Sequence, residues 1–162
     1  MDQSKTVILF GGGASLAQPL IHHWINKGWR VVAVCRRTKP IYKHERLSAI
    51  SERDLVDSDL RFDVVITLNG ASYDGKIHEL STEKWEKNIE DNFTSVFRAL
   101  RLCLPRMNGV QSNVVAVGSI VASLGGNGCA GYAAAKSGLG GLVRAAANEW
   151  VTTNICINLL EL

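Results

Sequence analysis

The sequence predicts an α/β fold, an open, doubly wound parallel sheet of about six strands with helices on both faces. Three observations predict it. Short apolar, β-branched runs alternate with segments of helical periodicity along the whole chain. The first run ends in Gly11-Gly12-Gly13, as a buried strand turning sharply into a helix would. Strand, glycine turn, helix and strand then fit into about thirty residues, the size of one βαβ unit with a right-handed crossover.

The elements follow in order. Thr6–Phe10 (TVILF) reads as a buried parallel strand. From Ser15 to about Lys27, Leu16, Leu20, Ile21, Trp24 and Ile25 fall at helical spacing, with Ser15 as the expected N-cap. Pro19 falls in the first turn, where an amide has no intrahelical partner, and Gly28 suits the position just past the end. Arg30–Cys35 is the second strand and Leu47–Ile50 a short third. Asp54–Leu60 has room for only a turn or two of helix. Asp63–Leu68 is a fourth strand, ending in Asn69-Gly70. Ser81 caps a helix whose pattern continues, with a break, to Met107. Asn113–Val117 is a strand, and the loop Gly125–Gly131 leads to a helix from Tyr132 to Trp150. Ile155–Leu160 closes the series.

Composition narrows the class. The 162 residues suit a single domain over 1–162, and 46% hydrophobic residues exclude disorder as the main state. A net charge of +3, with no basic run longer than Arg36-Arg37, predicts no nucleic-acid partner. No uncharged apolar stretch approaches the ~20 residues of a membrane span, so no membrane partner is expected. Cys35, Cys103, Cys129 and Cys156 form no CxxC pair, and His22, His23, His44 and His78 show no metal spacing. A reducing, cytoplasmic setting and no metal are the expectation.

Several residues carry chemistry. The turn Gly11 to Ala17 (GGGASLA) lies between the first strand and helix, where helix amides can meet a phosphate. Small residues there permit close backbone approach, although a plain strand-to-helix turn would look similar. After the second strand, an acid would hold a ribose 2′-hydroxyl, whereas arginine accepts a 2′-phosphate. Cys35-Arg36-Arg37 contains no acid, which favours NADP over NAD. Tyr132 and Lys136 are one helical turn apart on one face. A lysine ammonium near a phenol favours the phenolate, and such a phenol can hand a proton to a carbonyl oxygen or take it back. Ser119 follows a strand at the sheet end where ligands bind, and its hydroxyl could hydrogen-bond a developing alkoxide. Asn92 sits inside a helical pattern, where asparagine is mildly unfavourable and invites a reason.

Together these residues resemble the short-chain dehydrogenase/reductase family, with its Rossmann-like sheet. The family's first glycine and the glycine ending its first helix match Gly11 and Gly28 without a gap. Its catalytic asparagine, serine, tyrosine and lysine match Asn92, Ser119, Tyr132 and Lys136, in order and at family spacing. Leu104-Pro105-Arg106-Met107 resembles the family's ending of the asparagine helix, and Asn154–Asn158 its strand after the catalytic helix. Tyr73-Asp74-Gly75 is similar to the β-ketoacyl reductase branch.

The resemblance implies roles. Tyr132 would be the general acid/base, Lys136 its electrostatic tuner and a ribose ligand, Ser119 the carbonyl polariser, and Asn92 the holder of a relay water. Gly11, Gly13, Ser15, Leu16, Ala17, Arg36, Arg37, Asn69 and Gly70, with Tyr132 and Lys136, would bind NADP. The activity implied is hydride transfer between the nicotinamide and a small carbonyl or secondary alcohol substrate. A homodimer or homotetramer would form through the helices Trp85–Met107 and Tyr132–Trp150.

The sequence also departs from the family. Phe10, Ser15 and Ala17 replace a threonine and two glycines, and Thr67-Leu68-Asn69-Gly70 replaces the Asn-Asn-Ala-Gly turn. The Pro-Gly turn, substrate-covering segment and last strand have no counterpart, so the chain is C-terminally incomplete relative to the family. These departures keep open a second reading, a non-catalytic nucleotide-binding scaffold or regulator, and a third, a structural α/β domain.

Overall fold

The computed structural model describes residues 5–36, 38–109 and 111–162. Six strands run as β1 (Thr6–Phe10), β2 (Arg30–Val34), β3 (Leu47–Ile50), β4 (Val64–Thr67), β5 (Ser112–Val117) and β6 (Ile155–Leu160). Every pairing is parallel, and the spatial order is β3-β2-β1-β4-β5-β6. The order reverses between β1 and β4, and that switch point opens a crevice at the carboxyl ends of the strands.

Alternation along each strand divides the core. Val7 and Leu9 face one side of β1 and Ile8 and Phe10 the other. On the first side, α1 (Ala17–Asn26) buries Ala17, Ile21 and Ile25 against Val31, Val64 and Ile66. On the other, three helices converge: α2 (Glu52–Val56) with Leu55, α4 (Ser95–Cys103) with Val96 and Leu100, and α6 (Ala130–Glu149) with Leu139 and Val143. The six-stranded parallel sheet with helices on both faces is therefore as the sequence predicts.

Local chemistry moves several boundaries. The N-cap of α1 is Leu16, without a side-chain cap, so Ser15 does not cap the helix. The chain makes tight turns through Ala14 and Ser15 first, and both backbone carbonyls there accept from the first helical residues. At its other end α1 closes as expected. Gly28 has φ +80°, its amide donates to Ile25 O, and Trp29 donates to Trp24 O, a paired closure that favours glycine. α2 begins at Glu52, before the expected span, because Ser51 and Asp54 form a reciprocal capping box. The expected break in the long helix is a π-turn at Glu90–Thr94, between α3 (Thr82–Ile89) and α4. A short helix, α5 (Val121–Leu124), follows β5, and α6 starts two residues before Tyr132.

Candidate active site

The crevice at the ends of β1, β2 and β4 holds a cavity of about 270 Å³, lined by Gly11, Gly13, Arg36, Asn69, Gly70 and Asp91 among others. Gly11 has φ +75°, and a Cβ there would come within 3.0 Å of the Leu68 carbonyl carbon. The turn thus needs glycine for both conformation and room. A Cβ on Gly13 would collide with the carbonyl of Thr38, so the segment after β2 lies directly on the glycine turn. Ser15 and Leu16 are exposed and outside the cavity wall, and Ala17 is fully buried in helix-to-sheet packing. Asn69 Oδ1 is buried and has no hydrogen-bond partner among the described residues. Arg37 lies outside the described residues.

Beside this cavity, two asparagines one helical turn apart hold the loop after β4. Asn92 Oδ1 accepts from the Ala71 amide at 3.2 Å, and its Nδ2 donates to Ala71 O at 2.7 Å and Asn88 O at 3.0 Å. Asn88 repeats the arrangement with Tyr73, accepting its amide at 3.3 Å and donating to its carbonyl at 3.0 Å. Each side chain imitates a strand neighbour, giving half-buried backbone groups of the loop after β4 hydrogen-bond partners. The π-turn surrounds Asn92, an irregularity often found at functional positions. Gly70 fits beneath, since a Cβ there would lie 2.8 Å from Asn92 Oδ1.

Lys136 projects from α6 into the same region and is buried. Its Nζ donates to Val117 O at 2.9 Å and Asn69 O at 3.1 Å, tying the ends of β4 and β5 together. Burial lowers its pKa to about 8. The ammonium is 5.8 Å from the centroid of the Tyr132 ring, which is half-buried in the first turn of α6. Ser119, buried just after β5, accepts the Val121 amide at 3.3 Å, leaving its hydroxyl hydrogen for another acceptor. Neither Ser119 nor Tyr132 lines the cavity.

Sequence reasoning missed three participants. Asp91 Oδ1 receives Arg36 Nη1 at 2.5 Å, and Asp91 Oδ2 receives the Tyr73 hydroxyl at 2.7 Å. The Asp91 hydrogen bond holds the Arg36 guanidinium above its ordinary pKa. Asn88 could have been found, because a second asparagine four residues before Asn92 repeats the same unfavourable choice on one helix face. Asp91 and Tyr73 carry no such signal, since their partners are distant in sequence.

An open parallel sheet with a glycine turn at its switch point, and a lysine from the last helix bridging two strand ends, defines a doubly wound α/β protein with a candidate ligand crevice at that switch point. Comparison with known proteins gives the family. The family model for short chain dehydrogenases matches residues 41–162. The chain belongs to that family. It is 31% identical over 99 residues to the 3-oxoacyl-[acyl-carrier-protein] reductase FabG of Escherichia coli, covering 60% of this chain and 41% of that protein. It is 22% identical to the acetoacetyl-CoA reductase of Acinetobacter sp., over 99% of this chain and 74% of that one. Among solved structures, a short-chain dehydrogenase/reductase from Serratia marcescens superposes with a TM-score of 0.84 at 20% identity, covering 97% of this chain and 77% of that chain. A family protein from Francisella tularensis gives 0.86 at 16% identity, covering 96% and 68%. The match to the FabG reductase spans less than half of that relative's length.

Proposed function

We propose that this chain is an NADP(H)-dependent oxidoreductase that moves a hydride between the nicotinamide and a small carbonyl or secondary alcohol substrate. The observation that carries the reading is Lys136. Its buried ammonium is anchored to the ends of β4 and β5, 5.8 Å from the Tyr132 ring.

The residues fit a nicotinamide dinucleotide. The cavity stands at the topological switch point, its wall includes Gly11 and Gly13, and the unpartnered Asn69 Oδ1 offers a buried acceptor. Gly11, Gly13, Asn69 and Gly70 would hold its adenosine end, with Arg36 toward the 2′-phosphate. Bound there, the dinucleotide supplies the hydride donor or acceptor. Tyr132 supplies or removes the proton at the substrate oxygen. Ser119 donates its free hydrogen to the same oxygen as charge develops. Lys136 places a positive charge beside the phenol and keeps the two strand ends at fixed separation. Both amide hydrogens of Asn92 are already given to Ala71 and Asn88, so its side chain positions the loop, and a relay water there would have to donate to an acceptor.

A second reading, a nucleotide-binding scaffold without turnover, draws support from Thr38 lying on the glycine turn. The two separate on one experiment. Tyr132→Phe should bind NADPH as the parent does while losing at least about a hundredfold in turnover, the scale of general acid–base catalysis. Parent protein that binds NADPH but reduces no carbonyl in a broad aldehyde and ketone screen would favour the scaffold. Full activity in Tyr132→Phe would remove Tyr132 from the proton-transfer role.

A further inference from the structure

The absence of an acid after β2 is what favours the phosphorylated cofactor in the sequence. In the folded chain an acid stands there after all. Asp91 arrives from the π-turn, 55 residues along, and receives Arg36 Nη1 at 2.5 Å. The Asp91 side chain is only 10% exposed, whereas that of Arg36 is 51% exposed. Asp91 is also part of the cavity wall, so its charge faces the space a ligand would enter rather than the far edge of the guanidinium. The other arginine on the described wall, Arg98, is paired as well, with Glu90 and Glu52. Both described arginines of the cavity are thus already opposed by carboxylates.

We propose that Asp91 is a specificity-determining residue, one that competes with a ribose 2′-phosphate for Arg36 and restrains the preference for the phosphorylated dinucleotide. This rests on the cofactor reading above. The chemistry is one of charge. A 2′-phosphate brings nearly two negative charges to a guanidinium whose own charge is offset by a carboxylate in direct contact. A 2′-hydroxyl brings none and can donate to that carboxylate. The pair is a single contact, with Tyr73 holding the second carboxylate oxygen, so Asp91 stays on the wall when Arg36 turns toward a phosphate. Its repulsion is then felt by the phosphorylated ligand and not by the other.

The test is calorimetric titration of the whole chain with adenosine 2′,5′-bisphosphate and with adenosine 5′-monophosphate. The two probes share the 5′-phosphate, so their ratio reports the 2′ position alone, without turnover. Asp91→Asn keeps the shape and removes the charge. It should tighten the bisphosphate about tenfold, the effect of one unit charge close to a partly solvated site, and move the monophosphate by less than about twofold. Adding Arg36→Gln should abolish the gain. Asp91→Ser serves the same comparison if Asp91→Asn folds poorly. An unchanged ratio, or a weakened bisphosphate, overturns the proposal and makes Asp91 a support that aims Arg36 at the phosphate. Failure of both probes to bind either protein overturns the dinucleotide-site reading, and the proposal falls with it.

Discussion

Lys136 has exchanged water for two backbone carbonyls, and its ionisation records the exchange. Burial brings its pKa down from 10.5 to about 8. Between those values the unfolded chain binds the proton that the folded chain has released, so the Lys136 contribution to stability rises with pH through that window. Below about pH 8 both states are protonated and the full cost of burying the ammonium is present. The stability of the parent relative to Lys136→Met, from denaturant unfolding, should therefore increase from pH 7.5 to pH 10. A flat difference would mean that the lysine is solvated. Catalysis runs the other way, because the proposed role of Lys136 needs its charge. At this scale the sequence placed the lysine one helical turn from Tyr132. Its two acceptors, Asn69 O and Val117 O, were not legible, because they belong to different strands brought side by side by the sheet.

At the scale of elements, the π-turn and the paired asparagines act as one device. Asn88 and Asn92 lie on one face of a helix and bridge Tyr73 and Ala71, which are two residues apart and so present the same side of an extended segment. The loop is held by helix side chains rather than by another strand. Asn88→Ala would leave the Tyr73 amide and carbonyl without these partners. A loss of about 1–3 kcal/mol in unfolding free energy is expected, the net worth of the hydrogen bonds removed. Hydrogen exchange at Tyr73 should rise with it, and an unchanged exchange rate would show that the bridge holds nothing in solution. α6 also packs close at this point. A Cβ on Gly131 would lie 2.7 Å from Asn88 Nδ2, and one on Gly138 would lie 3.0 Å from the Phe93 ring. The small-residue pattern of α6 was plain in the sequence. That two of its glycines sit on the asparagine helix within the same chain was not.

Over the whole molecule, the sheet places its chemistry at one end and an apolar groove elsewhere. The groove, about 270 Å³, runs between α4 and α6 and is lined by Phe97, Leu100, Leu104, Leu142 and Trp150. Phe97 is 43% exposed at this groove. The two helices named by the resemblance thus present this apolar face, and we propose that a second copy of the chain covers it. Light scattering on the parent should give a dimer or tetramer mass, and Phe97→Glu should shift it toward the monomer by placing a charge in the contact. A monomeric parent would remove the assembly from consideration. No helix among the described residues is long and apolar enough to cross a membrane.

The division between sequence and tertiary structure follows from the range of the interactions. By itself the sequence determined the alternation of strands and helices, the six-stranded sheet, the turn at Gly11 and the closure at Gly28. Each of these is set by periodicity or by a backbone demand within a few residues, and so is written locally. The tertiary structure alone decided that Thr38 lies on Gly13 and that Asp91 meets Arg36. Those contacts join residues whose separation along the chain carries no period, because the sheet order, not the sequence interval, sets their distance.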